Sequence, residues 1–187
     1  MAELALAHLG LDELRFVPTA TSPHKPTPGG ALALDNATRV GLVKVLLRAL
    51  PAICKLETLE VDRGGTSYTA DTLETLWERE PDKAWILLIG GDQLPDFPRW
   101  RRAERILELA SVAVAPRPGF PTELPESLRP RLQEAWSGAT GEVVWLPSSG
   151  LPWASSCQRE LIREGIAAEG LLPEVMAAIS AENLYRE

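Results

Sequence analysis

The chain has 187 residues, a formal net charge of −7 and a pI near 5.0, which suits one domain and argues against a non-specific nucleic-acid binder. A hydrophobic fraction of 45% with 24% charged residues is ordinary for a soluble globular protein, and no basic N-terminal segment or long apolar run suggests a signal peptide or membrane span. Cys54 and Cys157 follow no metal or redox spacing, so a reduced, cytoplasmic setting is expected and no metal ligands are assigned.

Met1, Leu4, Ala5 and Leu9 fall on one helical face, and Gly10 closes that helix. Leu14 to Pro18 (LRFVP) reads as a buried strand, and Thr19 to Gly30 as a polar, proline-rich loop. A helix follows over LDNATRVGLVKVLLRAL, capped by Asp35 or Asn36, with Val40, Val43, Leu47 and Leu50 on one face. Ile53 to Val61 (ICKLETLEV) predicts a strand, RGGTSY a loop, and TADTLETLWERE a short helix capped from Ser67 or Thr69. Ala84 to Gly91 (AWILLIGG) is continuously apolar, as for a strand buried on both faces. DQLPDFPRW is then a loop, RRAERILELA a helix, SVAVAPRPG and Glu142 to Pro147 strands, and CQRELIRE and LPEVMAAISAEN closing helices. This βαβα order predicts an α/β fold with a mostly parallel sheet and helices on both faces. The chain is expected to be a single domain over 1–187, with 121–141 an irregular insertion of loops and one inserted helix, and 150–187 a C-terminal helical part.

In such sheets ligands bind beyond the carboxyl ends of the strands, which selects four loops. His24 and Lys25 sit in SPHK between stiffening prolines; the pair suits a phosphate, or the loop is simply solvated. In RGGTSYTADT the helix start near Tyr68 and Thr69 offers N–H groups to an anion, unless Ser and Thr merely cap it. Gly90 and Gly91 leave Asp92 at a strand tip, where an acid often holds a ribose hydroxyl. Trp100 could stack on a heteroaromatic ring or pack beneath its loop. Ser155, Ser156 and Arg159 make a phosphate cradle or an ordinary capped helix, and Arg117 ends a strand on the same side. Cys157 has no histidine nearby in sequence, which argues against a nucleophile.

SPHK, SYTADT, IGGDQLPDFPRW and APRPGFP, in that order and spacing, with the closing LLPEVMAAISAENLYRE, resemble bacterial nicotinate-nucleotide adenylyltransferases of the nucleotidyltransferase superfamily. The resemblance implies a Rossmann-like sheet and the reaction of ATP with nicotinate mononucleotide to give deamido-NAD and pyrophosphate, with Mg²⁺ assisting. It implies that Tyr68 and Thr69 receive the nicotinate carboxylate, Trp100 stacks on the ring, and His24, Lys25 and Arg117 face the mononucleotide phosphate. Gly90 and Asp92 would contact the nucleotide sugar region, and Ser155, Ser156 and Arg159 the ATP phosphates. WASSCQR departs from the family's ISSTxIR at Ala154 and Gln158. The family's first strand and its G-T-F-D-P-x-H-x-G-H loop have no counterpart in the sequence, and His8 lies in the following helix. An N-terminally truncated chain is therefore expected, with its catalytic residues unassigned. The alternatives are a catalytically impaired nucleotide-binding protein, or a sister enzyme using nicotinamide mononucleotide. No nucleic-acid or membrane partner is expected, and the sequence leaves the oligomeric state open.

Overall fold

The computed structural model describes residues 1–23, 34–120, 122–130, 132–135, 137, 139–148, 155–166 and 171–185. The chain forms two compact units, one of residues 1–11 and 68–152, the other of residues 12–67 and 153–187.

The first unit is built on a four-stranded sheet. Its strands are β3 (Trp85–Gly90), β4 (Ala110–Ala115), β5 (Gln133–Glu134) and β6 (Glu142–Trp145), in the order β3-β4-β6-β5, every pairing parallel. Each residue of β4 (ASVAVA) is buried, and the two-residue period of a strand divides it between two cores. Val112 and Val114 point with Ile89, Leu94, Phe97, Ile106 and Leu109 into one. Ala113 and Ala115 point the other way, against Ala5, Leu9 and Leu146. Helix α1 (Ala2–His8) therefore covers one face, while α4 (Thr69–Arg79), through Ala70 and Leu73, and α5 (Ala103–Leu109) cover the opposite one. Helices on both faces of a parallel sheet are what the sequence predicts. Gly10, at φ +60°, takes the left-handed position just after α1 that favours glycine.

Between 121 and 141 no helix forms among the described residues. Successive turns (Leu128 N–H to Pro125 O, Leu132 N–H to Leu128 O) instead deliver Leu124, Leu128 and Leu132 to the core before β5 pairs with β6. Three leucines at a spacing of four imitate a helix, but burial of each from a turn satisfies the same pattern.

In the second unit, β1 (Leu14–Phe16) pairs in parallel with β2 (Cys54–Leu56), and α2 (Asn36–Arg48) lies between them in sequence. Asp35 caps α2 by accepting from Thr38 N–H at 2.7 Å, a bond that holds its carboxyl below the usual range. The strand expected over 53–61 stops at Leu56, and Leu59–Arg63 form the short helix α3. Side chains close that turn: Glu57 Oε1 accepts from Leu59 N–H at 3.1 Å, and Thr58 Oγ1 donates to Asp62 Oδ2 at 2.7 Å. Local side-chain bonding thus outweighs an alternating pattern. Helices α6 (Ser155–Arg163) and α7 (Pro173–Ala181) pack through Ile162, Val175 and Ile179 against Leu42, Val45 and Leu46 of α2. Among the described residues no helix is long and apolar enough to cross a membrane.

Candidate active site

Strand β3 ends at Gly90, in register with Ala115 of β4. That pairing brings the residues just beyond each strand together, so Arg117 Nε lies 3.1 Å from Asp92 Oδ1. Gln93 Nε2 donates to the other oxygen, Oδ2, at 2.9 Å. Oδ1 is shielded from solvent and accepts no aligned hydrogen bond among the described residues, so its contact with Arg117 is ionic only. A buried acceptor with unused capacity suits a ligand hydroxyl, since such groups are nearly always satisfied. Glycine at position 90 leaves room for this pair: a Cβ there would lie 2.3 Å from Asp92 Oδ1 and 3.1 Å from Arg117 Nε, so the two side chains would have to shift.

Two single 3₁₀ turns, Gly91–Gln93 and Phe97–Arg99, carry the chain from Asp92 to Trp100. Leu94 and Phe97 are completely buried and anchor this loop. Trp100 is half-buried, packs on the core, and meets Phe97 at 5.1 Å between ring centroids, tilted by 44°. The indole thus packs in part beneath its loop, one of the two sequence readings, while the rest of it remains accessible.

The next two residues are both arginines. The Arg101 guanidinium lies 4.3 Å from the centroid of the Tyr68 ring and 3.3 Å from Asp71 Oδ2. Arg102 is left-handed (φ 57°, ψ 43°), a conformation that costs an ordinary L residue roughly 1–2 kcal/mol. It donates to both Glu74 oxygens, at 2.7 and 2.6 Å, and Arg105 Nε adds a bond at 3.0 Å. Arg102 first, then Arg105, hold the Glu74 carboxyl down at about 2, against an ordinary 4.5. Because the folded value is the lower one, this interaction favours the folded state fully above pH 4.5 and is lost as pH falls toward about 2. The Glu74 side-chain carbon resonance is expected to titrate near 2 in the parent chain and near 4.5 in an Arg102→Ala, Arg105→Ala double variant. A midpoint near 4.5 in the parent would show that the arginines do not hold the carboxylate.

Helix α4 begins without a side-chain cap from Tyr68. The Ser67 hydroxyl, expected to cap it, instead accepts from Ala20 N–H at 3.0 Å, while Ser67 N–H donates to Thr21 O at 2.9 Å. The capping reading of this loop therefore fails for Ser67. Among the described residues the first N–H groups of α4, from Thr69 on, have no side-chain acceptor from the N-cap residue.

His24 and Lys25 lie outside the described residues, as do Ala154 and the side chains of Ser155, Ser156 and Cys157, although Ser155 opens α6. Arg159 is half-buried on α6, and Gln158, in place of the family's apolar residue, is buried. Burial pushes the Tyr185 phenol up, against the opposing pull of Arg159 and Arg39. Burial likewise raises the Cys54 thiol, which makes it an inert packing residue. Sequence reasoning missed Glu74, Arg101 and Arg102. Their signal was available as two acids at i, i+3 on α4 and an Arg-Arg pair directly after Trp100.

A family model described as cytidylyltransferase-like matches residues 1–160. A probable nicotinate-nucleotide adenylyltransferase of Bordetella avium is 37% identical over 187 residues, covering 100% of this chain and 89% of that protein. One of Methylococcus capsulatus is 33% identical over 186 residues, covering 95% and 87%. Among solved structures, the Plasmodium falciparum nicotinic acid mononucleotide adenylyltransferase complexed with NaAD shares the fold, with a TM-score of 0.74 over 99% of this chain and 88% of that one, at 17% identity. The same enzyme complexed with APC gives a TM-score of 0.71 over 97% and 87%, at 16% identity. The fold, the loops and these likenesses agree: the chain belongs to the cytidylyltransferase-like proteins and, within them, to the nicotinate-nucleotide adenylyltransferase family.

Proposed function

We propose that this chain acts as one nucleotidyltransferase domain in the cytoplasm and transfers the adenylyl group of ATP to nicotinate mononucleotide, releasing pyrophosphate and forming deamido-NAD for NAD biosynthesis. Beyond family membership, the observation that carries this reading is the shielded Asp92 Oδ1, held by Arg117 at a strand's carboxyl end with acceptor capacity to spare. A nucleotide sugar supplies the matching hydroxyl.

The 5′-phosphate oxygen of the mononucleotide attacks the α-phosphorus of ATP in line. The new P–O bond forms as the bond to the β-phosphate bridging oxygen breaks, and pyrophosphate leaves with that electron pair. No protein nucleophile is needed, so rate enhancement comes from positioning and charge stabilisation. In this proposal Trp100 stacks on the pyridine, and the N–H groups at Tyr68 and Thr69 bind its carboxylate. Gly90 and Asp92 hold the sugar region; His24, Lys25 and Arg117 face the mononucleotide phosphate; Ser155, Ser156 and Arg159 face the phosphates of ATP. Among the described residues no three His, Cys, Asp or Glu side chains converge as a metal cage. Mg²⁺ enters the proposal as the ion that ATP phosphates carry.

N–H donors match both oxygens of a carboxylate, whereas an amide leaves one donor facing an NH₂ group. One unpaired donor is worth about 1–3 kcal/mol, or roughly 5- to 150-fold in kcat/KM. The test is pyrophosphate release with ATP and either mononucleotide. The acid is expected to react at least about fivefold more efficiently than the amide. Equal or better use of the amide would make this a sister enzyme, and release with neither would leave a nucleotide-binding protein.

A further inference from the structure

Arg102 stands where the loop carrying Trp100 turns into α5, and its left-handed backbone is rare for a residue of its kind. Such a conformation persists only where its surroundings fix it. The fixing group is on α4: both Glu74 oxygens accept from the Arg102 fork, and a two-pronged contact sets orientation as well as distance. Arg101 and Arg102 also reach Asp71, one turn earlier on the same helix, at 3.3 and 3.6 Å. Arg101 covers the Tyr68 ring. The three residues Trp100, Arg101 and Arg102 are therefore tied at their C-terminal end to the helix whose first turn begins beside Tyr68.

All these charged side chains are partly exposed, and exposed ion pairs contribute little to global stability. What the network supplies is geometry. We infer that Glu74 and Arg102 are positioning residues, which set the Trp100 ring relative to the start of α4 and thereby set affinity for the pyridine end of the mononucleotide. This rests on the proposed function for its account of Trp100, and neither residue contacts substrate in it.

Glycine adopts left-handed φ freely, so Arg102→Gly removes the clamp while relieving the backbone, and separates positioning from stability. The expected result is a melting temperature at or above that of the parent. The KM for nicotinate mononucleotide should rise about 5- to 10-fold, with kcat and the KM for ATP changed less than about twofold. Glu74→Gln should act in the same direction, and Arg102→Lys should recover part of the loss, as a point charge without the fork. Amide exchange supplies a readout independent of substrate: the Ala103 and Ile106 N–H groups donate to the Trp100 and Arg102 carbonyls, at 3.1 and 3.2 Å, and should exchange faster in both clamp variants. An unchanged KM for the mononucleotide, or an equal rise for ATP, overturns the inference, and so does unchanged exchange. A parent chain that releases no pyrophosphate from nicotinate mononucleotide defeats the proposed function instead. The exchange result then still decides the clamp, faster exchange upholding it and unchanged exchange removing it.

Discussion

Gly90→Ala is expected to lower kcat/KM for pyrophosphate release by about 10²-fold while moving the melting temperature by no more than ~3 °C. The two effects separate because of where the added carbon goes. At φ −77° and ψ 150°, Gly90 has ordinary extended geometry that alanine adopts, so the β3–β4 register ending at Gly90 and Ala115 survives. The methyl group, however, would lie 2.3 Å from Asp92 Oδ1, closer than any packed contact. The carboxylate must swing away, and on its other side Arg117 stands 3.1 Å from the same added carbon, so the ion pair has to rearrange as well. A displacement near 1 Å at a positioning group costs about 10²-fold when catalysis depends on alignment. Steady-state kinetics beside a thermal melt check this. Activity within threefold of the parent would show that the Asp92 position is not needed, and a collapsed melting temperature would trace the loss to folding.

Part of this candidate site was legible because that part is local. A continuous apolar run that ends in two glycines announces a strand with an open tip, and Asp92 sits there. β3 nonetheless lies at the sheet's edge and is buried only at Ile89 and Gly90, not along its length as expected. The Asp92–Arg117 pair was not legible, although both residues were singled out, because residue 117 meets residue 92 only through the register of β3 against β4. Register is a property of two strands together, and no single stretch encodes it. Ser67 shows the same limit: its composition suits a cap, but a backbone N–H from a loop 47 residues away takes its oxygen. Leu56, Leu59 and Val61 suggested a strand continuing through residue 61, and the Glu57 and Thr58 side chains closed a helical turn instead. Arg102 carries no sign of its left-handed backbone at all, since glycine and asparagine are the residues that advertise it. The carboxylate that receives its side chain stands on another helix, so this pairing is visible only in the fold.

Trp100→Ala is expected to raise the KM for nicotinate mononucleotide by roughly 5- to 150-fold, the equivalent of about 1–3 kcal/mol for one ring stacked on an aromatic side chain. The KM for ATP should move less than about threefold. Because the indole also packs on Phe97 and the core, the same change lowers stability. The cost should fall below the ~3–5 kcal/mol of a fully buried tryptophan. Trp100→Phe is the companion that separates the two roles: a smaller ring keeps part of the contact with Phe97 and part of the stack, so stability and affinity should both recover incompletely. Parallel losses for ATP and the mononucleotide would reduce Trp100 to a packing residue. A second consequence is sharper. Stacking depends on the ring and not on whether its substituent is acid or amide, whereas N–H donors at the start of α4 respond to that substituent. Removing the indole should therefore weaken nicotinate and nicotinamide mononucleotides by similar factors and leave their ratio of kcat/KM unchanged. A ratio that falls toward one in Trp100→Ala would place the discrimination on the tryptophan and take it away from Tyr68 and Thr69.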